Sequence, residues 1–239
     1  MKIYDFNIEK GMKIVTKFWI SKSLFGFKPY YNKLMQIKLM KAKKIPGIPL
    51  QVKGQFHDTE SIQKFENAQE TELKYNLLKE RFFDINKWNT YSNESIAEFT
   101  LCDSSGNTVH RLPFIGDYIK ILLSEIKKSE KESYQWVRID MIDKTNPNSI
   151  MIQCRPSKLP GNQFGGDTVH FHSGGTTSTF IISKGNDYIK MAIYGRNEKP
   201  NQNTDIISSI KNMFIAFKGV VGPSKIQWKQ LADGMVNLK

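Results

Sequence analysis

Apolar and polar residues alternate along six short runs between positions 95 and 194 of the chain. The runs are SIAEFTLC, GDYIKILL, YQWVRIDMI, SIMIQCRP, TTSTFIIS and YIKMAIYG. A period of two is typical of β-strands that bury one face. Connections such as DKTNPN and KGND are too short to hold crossover helices, so the pattern predicts an antiparallel meander. A further run, TVHRLPF, is predicted to pair with the first strand across the turn DSSGN.

A helical region is predicted before the sheet. It begins at Asp58 or Thr59, because either side chain can accept hydrogen bonds from the free amides of a first helical turn. Apolar residues then recur at helical spacing as far as Phe82, but the pattern loses phase at residues 70–74. One long helix and two shorter helices therefore both fit.

Two more helices are predicted after the sheet. The first is capped by Thr204 or Asp205 and carries an apolar stripe that ends at Phe217. The second lies in GPSKIQWKQLADGM, where Ser224 and Gln227 have the spacing of a capping box. We expect these helices to cover the apolar face of the sheet.

The net charge of +12 is concentrated at the start of the chain. Residues 1–54 contain twelve lysines and only two acidic residues, which leaves a net charge of +2 for residues 55–239. Aromatic residues are interleaved with these lysines, a combination that favours an anionic membrane surface or a nucleic acid backbone. We interpret residues 1–54 as a basic extension of a single α+β domain at 55–239. Contact with a membrane or another anionic surface is the preferred alternative to a purely structural role, and nucleic acid is the less favoured partner.

The two cysteines, Cys102 and Cys154, lie in separate apolar runs and are predicted to be buried free thiols of a cytoplasmic protein. No run reaches the roughly 18 apolar residues of a membrane-spanning helix. The sequence contains no phosphate loop, dinucleotide fingerprint or nucleophile motif, so we expect no cofactor.

One motif could hold half of a metal site. In GGDTVHFHSGG, His170 and His172 would share a strand face, and Asp167 could add a carboxylate. No acidic residue follows at a suitable spacing, and no histidine follows His172. We therefore expect both histidines to lie at a strand end and retain a metal site as the alternative.

The order of elements resembles the START-related helix-grip superfamily over about residues 48 to 218. The resemblance rests on a short basic lead-in strand, IPLQVKG, on FFDINKWNTY, which is similar to an Asp-x-x-x-Trp stretch of that superfamily, and on GDYIKI after the first hairpin. It implies an α+β fold in which a curved antiparallel sheet of about six to seven strands packs on a C-terminal amphipathic helix. Members include polyketide cyclases and carriers of lipids and other apolar ligands, and they share no universal catalytic residue.

The resemblance implies a cavity between the sheet and the C-terminal helix that takes an apolar ligand, and we expect non-enzymatic binding of an apolar or amphipathic small molecule there. Arg138 and Arg155 fall on adjacent predicted strands and could orient a polar head group. The full set of expected ligand-binding residues is Trp88, Phe99, Trp136, Arg138, Arg155, Phe180, Tyr194, Met213 and Phe217. The alternative is an enzyme, either cyclase-like through Asp140 or His110 or metal-dependent through His170 and His172.

Overall fold

The computed structural model of the protein describes residues 41–92, 97–123, 134–161, 174–199 and 223–238. The chain divides into two units, Met1–Lys41 and Ala42–Lys239, and every helix and strand named here belongs to the second unit. The strands are β1 (Gln55–Lys64), β2 (Ala97–Cys102), β3 (Tyr118–Leu123), β4 (Tyr134–Asn146), β5 (Ser149–Pro156), β6 (Thr177–Lys184) and β7 (Tyr188–Glu198). The helices are α1 (Ala68–Phe83), α2 (Trp88–Tyr91), which follows a 3-10 turn at Ile85–Lys87, and α3 (Pro223–Val236).

All seven strands form one curved antiparallel sheet in the order β1-β7-β6-β5-β4-β3-β2. Strands β2 to β7 are a meander in which each pairs with the next, and β1 completes the sheet beside β7. The predicted α+β class and the antiparallel sheet are confirmed. This architecture fits the helix-grip fold that the sequence resembles.

The helices cover one face of this sheet, which we call the inner face. Helix α1 contacts β6 and β7, and α3 contacts β1 and β7 as well as α1 and α2. The N-terminus of α1 is capped by Asn67, whose side chain accepts a hydrogen bond from the backbone N–H of Glu70 at 2.8 Å. Tyr75, Leu78 and Phe82 are buried at helical spacing on the side of α1 that enters the core.

The predicted start of the first helix is wrong, because Asp58 and Thr59 lie in strand β1. The buried side chains of β1 are His57, Thr59 and Ser61, which alternate with less buried residues at a period of two. Because the buried face of β1 carries polar residues, a pattern based on hydrophobicity does not reveal this strand. Residues 70–74, where the sequence pattern loses phase, lie inside α1, so that phase loss does not mark a helix boundary.

Helix α3 confirms the prediction for the last predicted helix. Leu231 and Met235 are buried, and Ser61 of β1 donates a hydrogen bond to Asp233 at 2.6 Å. Gly234 faces the carbonyl group of Tyr91 so closely that a Cβ atom there would overlap it, so α3 and α2 are in backbone contact. The helix predicted to begin at Thr204 or Asp205 lies outside the described residues.

Two predicted strands are absent from the described parts of the chain. The lead-in IPLQVKG has no strand and instead begins with a turn in which the N–H of Ile48 donates to the carbonyl of Ile45. The run TVHRLPF forms only one bridge, between Thr108 and Cys102. The rest of this run leads to the start of β3 and does not pair further with β2. The run therefore pairs with the end of β2 over a short length only.

Candidate functional site

An aromatic cluster fills the described part of the inner face. Trp88, Phe99, Phe180 and Trp228 are all buried, and adjacent ring centroids are 5.1 to 6.2 Å apart. Trp88 and Phe180 come from α2 and β6, whereas Trp228 comes from α3. The sheet and the C-terminal helix are therefore joined by apolar rings, and Trp228 lies at the side of the cluster nearest to β1.

A buried histidine lies next to this cluster. The ring of His57 is stacked on that of Trp228, with an interplanar angle of 13° and a centroid distance of 6.4 Å. Its Nδ1 atom is 2.7 Å from Oε1 of Glu198, a residue of β7 that is also buried. A carboxylate can only accept a hydrogen bond, so Nδ1 of His57 is the donor.

The second ring nitrogen of His57 is unsatisfied. Its Nε2 atom is buried and has no hydrogen-bond partner among the described residues. When the imidazole is neutral and donates its Nδ1 proton to Glu198, Nε2 is a hydrogen-bond acceptor. A buried polar atom without a partner costs about 1–3 kcal/mol, so such atoms are uncommon unless a ligand or water satisfies them.

A β-bulge brings Glu198 to the same face as His57. The register passes from His57 opposite Gly195 to Gln55 opposite Glu198, so β7 has one extra residue here. Asn197 takes up this residue with a φ of 56°, a left-handed conformation that asparagine tolerates better than most residues. The bulge leaves Arg196 on the outer face and turns Glu198 inward.

Arg196 holds the backbone beneath His57 from the outer face. Its buried guanidinium donates to the carbonyl oxygens of His57 and Gly195 at 3.1 and 2.8 Å. It also forms an ion pair with Asp58 at 2.7 Å and donates to the carbonyl of Lys43 at 3.0 Å. The position of His57 is thus fixed by a network that joins β1, β7 and the segment before β1.

A groove of about 660 Å³ lies on the outer face of the sheet. The hydroxyl of Tyr194 donates to Glu60 at 2.5 Å, and Lys43 pairs with the other carboxylate oxygen at 2.8 Å. The groove is lined by Lys43, Ile45, Pro46, Gly47, Glu60, Asp143, Asn146, Ser149, Met151, Ile181, Ser183, Lys190, Ala192 and Tyr194.

The hydrogen bond between Tyr194 and Glu60 shifts the pKa values of both residues. Burial raises the pKa of Tyr194, and the hydrogen bond to Glu60 raises it further. Burial acts to raise the pKa of Glu60, but the hydrogen bonds from Lys43 and Tyr194 outweigh it and hold that pKa below its ordinary value. The Tyr194 hydroxyl is therefore a proton donor held in place rather than a phenolate.

The expected ligand-binding residues divide between the two faces. Trp88, Phe99 and Phe180 belong to the inner aromatic cluster. The others that the structure describes, Trp136, Arg138, Arg155 and Tyr194, alternate with inward residues and lie on the outer side. The sheet separates the two sets, and Met213 and Phe217 fall outside the described residues.

Arg138 and Arg155 are cross-strand neighbours, as expected from their adjacent strands. Both pair with Asp140, at 2.9 and 3.0 Å, and both side chains are more than half exposed. Asp140 is thus committed to an ion-pair network, and His110 is exposed. Neither belongs to the inner cluster.

The metal alternative involves His170, His172 and Asp167, all of which lie outside the described residues. Within the parts of the chain that are described, no group of three or more histidine, cysteine or acidic side chains is placed to hold a metal ion. Cys102 and Cys154 are free and buried in the structure. Burial raises the pKa of both thiols, which makes them poor nucleophiles.

Sequence reasoning missed the His57–Glu198 pair. The two residues are 141 positions apart, and no local motif links them. No alternation of hydrophobicity marks strand β1 either, because the residues on its buried face, His57, Thr59 and Ser61, are polar.

No protein-family model and no curated protein matches the chain. Solved structures to which it is similar include a hypothetical protein from Helicobacter pylori, with 9% identity, a TM-score of 0.45, and coverage of 77% of this chain and 87% of that one. A point mutant of norcoclaurine synthase from Thalictrum flavum has 9% identity, a TM-score of 0.37 and coverage of 79% and 96%. The major latex-like protein 151 from Panax ginseng has 12% identity, a TM-score of 0.31 and coverage of 69% and 98%. Among the described helices of this chain, none has the length and hydrophobicity needed to cross a membrane.

Proposed function

We propose that this protein binds a small molecule with an apolar body and one hydroxyl or N–H group between the inner face of the sheet and the C-terminal helical region. The observation that carries the proposal is the buried Nε2 atom of His57, which has no partner among the described residues. The ligand's polar hydrogen would satisfy this acceptor, and its body would contact the aromatic cluster beside Trp228.

The chemistry around His57 supports a mainly apolar ligand. Pockets for small molecules are commonly lined by apolar and aromatic side chains with a few fixed polar groups. Trp228 supplies a parallel ring beside His57, and Phe99 and Phe180 both contact Trp228. A flat, unsaturated ligand suits such walls because aromatic contacts add to the gain from burial.

Glu198 gives the site its preference for a hydrogen-bond donor. It fixes the tautomer of His57, so a ligand that offers a hydroxyl group is stabilised and one that offers only a carbonyl is not. The discrimination is expected to be about 1–3 kcal/mol, which is the cost of leaving a buried polar group unpaired.

Two probes with the same apolar body test this proposal: 2-naphthol, which has a hydroxyl group, and naphthalene, which does not. Isothermal titration calorimetry should give tighter binding of 2-naphthol by about tenfold or more, the fold-change that corresponds to such an unpaired group. In His57→Phe the ring is kept but both nitrogens are lost, so we expect the two probes to bind equally. The control is His110→Phe, which changes an exposed histidine.

Equal affinities of the wild-type protein for the two probes would contradict the hydrogen-bond assignment. Preference for 2-naphthol that persists in His57→Phe would place the polar contact elsewhere. The proposal would be contradicted if neither probe bound the wild-type protein and native mass spectra contained only the bare chain.

The same pair supports a second candidate function, proton abstraction by a general base. A histidine whose Nδ1 is oriented by a carboxylate is the usual form of such a base, and its Nε2 can take a proton from a bound molecule. The probe is 2-tetralone, an apolar ketone with acidic C–H groups. His57 would remove a proton to give the enolate, which then takes deuterium from heavy water.

Incorporation of deuterium into 2-tetralone, followed by NMR, distinguishes the two functions. Catalysed exchange that is lost in His57→Phe but kept in His110→Phe would support the enzyme. Binding of 2-naphthol without faster exchange would support the carrier and contradict the general base.

A further inference from the structure

The loop between β2 and β3 holds three large apolar side chains in solvent. Leu112, Phe114 and Ile115 are 57%, 59% and 64% exposed, whereas Pro113 between them is buried. These residues are close in sequence and lie in the loop that ends where β3 begins at Tyr118. We call Leu112, Phe114 and Ile115 the apolar tip.

The apolar tip is held in a fixed conformation. Arg111 forms two hydrogen bonds with the buried carboxylate of Asp117, at 2.6 and 2.9 Å. The same carboxylate accepts from the backbone N–H of Phe114 at 2.8 Å, and the Arg111 guanidinium lies 4.5 Å from the centre of the Phe114 ring. Since the loop is already ordered, insertion of its side chains elsewhere would cost little conformational entropy.

Basic side chains lie beside the point where this loop rejoins the sheet. The N–H of Gly116 donates to the carbonyl of Ile139, which is flanked in sequence by Arg138 and Asp140. Arg138 and Arg155 share the single carboxylate of Asp140, so this cluster carries an excess positive charge. Both arginines remain more than half exposed.

We propose that the apolar tip docks on an anionic lipid bilayer, with Phe114 and Ile115 inserted between the lipids and Arg138 and Arg155 at the head groups. Two observations favour a bilayer. The exposed apolar side chains lie within four consecutive positions of one loop, and the exposed arginines beside that loop are complementary to anionic lipid. The net charge of +12 would add long-range attraction to the same surface.

Sedimentation with vesicles tests the proposal on the full chain. We compare vesicles of phosphatidylcholine with vesicles that contain one part phosphatidylserine to three parts phosphatidylcholine. We expect binding to the anionic vesicles, weakened by about tenfold or more in the Phe114→Ser, Ile115→Ser double variant, because two exposed apolar side chains are lost. Arg155→Gln keeps the Arg138–Asp140 pair and should weaken binding about fivefold.

Leu73→Ser is the matched control, because Leu73 is 62% exposed but lies on α1. It should bind like the wild-type protein. Phe114→Trp keeps an apolar ring and reports insertion directly, through a shift of its fluorescence to shorter wavelength with the anionic vesicles.

Three results would overturn the proposal. The first is a wild-type protein that does not bind the anionic vesicles. The second is equal binding by the double variant, which would assign the membrane affinity to other residues, such as the lysines of residues 1–54. The third is self-association of the wild-type protein without vesicles that the double variant lacks, which would make a second copy the partner of the tip.

Discussion

Gly195 lies directly opposite His57 in the β1–β7 pair, and its lack of a side chain makes room for the imidazole ring. A Cβ atom at Gly195 would overlap Nδ1 and Cε1 of His57 and Oε1 of Glu198. The glycine is therefore required by the close approach of two side chains, not by its backbone conformation. This relationship joins the fold to the proposed site, because one small residue determines whether His57 and Glu198 can meet.

Gly195→Ala should displace the His57–Glu198 pair. We expect a loss of about 1–3 kcal/mol in the free energy of unfolding, because the added methyl group overpacks a buried contact. Urea unfolding measures the loss, and the preference for 2-naphthol over naphthalene should fall as well. Gly175→Ala is the control, since a Cβ atom there would meet nothing within 4 Å. Equal stability of the two variants would show that the pair is not confined as the structure indicates.

In Gly234→Ala, helix propensity and packing are expected to change the free energy of unfolding in opposite directions. Alanine in place of glycine inside a helix normally stabilises by about 1 kcal/mol. Here the methyl group would overlap the Tyr91 carbonyl, so α3 would have to move away from α2. We expect a net loss of about 1–3 kcal/mol. An increase in the melting temperature would contradict the backbone contact between these helices.

Tyr75→Phe should remove part of the protein's sensitivity to alkali. Burial, with a smaller contribution from Glu72, raises the pKa of Tyr75 to about 12. Between pH 10 and 12 the unfolded chain loses this proton and the folded chain keeps it, so stability falls as the pH rises. We expect the variant to lose less stability over that range, as measured by urea unfolding.

At pH 7, Tyr75→Phe should be as stable as the wild-type protein or more stable by up to about 1 kcal/mol, because the buried hydroxyl has no partner among the described residues. A clear loss of stability at pH 7 would mean that this hydroxyl forms a hydrogen bond outside the described parts of the chain.

Tyr194→Phe should change the response to acid. Its hydroxyl donates to Glu60 and helps to lower the pKa of that carboxyl below its ordinary value. A lowered pKa contributes stability above the unfolded value, and this contribution is lost as the pH falls through the folded value. We expect the pKa of Glu60 to rise in the variant, measured by NMR titration, and the loss of stability on acidification to become smaller. An unchanged pKa would mean that Lys43 and Lys190 lower it without help from Tyr194.

The meander could be predicted from the sequence because its strands alternate in hydrophobicity and its turns are short. The sequence placed Arg138 and Arg155 on adjacent strands, and in the structure they are direct cross-strand partners. Strand β1 could not be recognised by the same means, since its inner face carries His57, Thr59 and Ser61. His57 contacts Glu198 and Trp228, and Ser61 contacts Asp233, but these contacts exist only after folding.

The distribution of ligand-binding candidates between the faces also required the structure. Trp136 and Tyr194 are large aromatic residues of the kind that line cavities, but residue type does not determine which side of a sheet a position takes. The strand register determines the side, and at Glu198 a β-bulge reverses the side that simple alternation would give. Glu198, which contacts His57, faces inward because of this bulge.

The most direct test of the account is the nitrogen chemical shift of His57 in protein labelled with 15N-histidine, recorded before and after saturation with 2-naphthol. We expect the free protein to carry its proton on Nδ1 and to have an unprotonated Nε2. Addition of 2-naphthol should shift the Nε2 resonance as it accepts the hydroxyl proton, while naphthalene should not. A proton on Nε2 in the free protein, or bound 2-naphthol that leaves this resonance unchanged, would contradict the assignment of His57 as the polar anchor of the site.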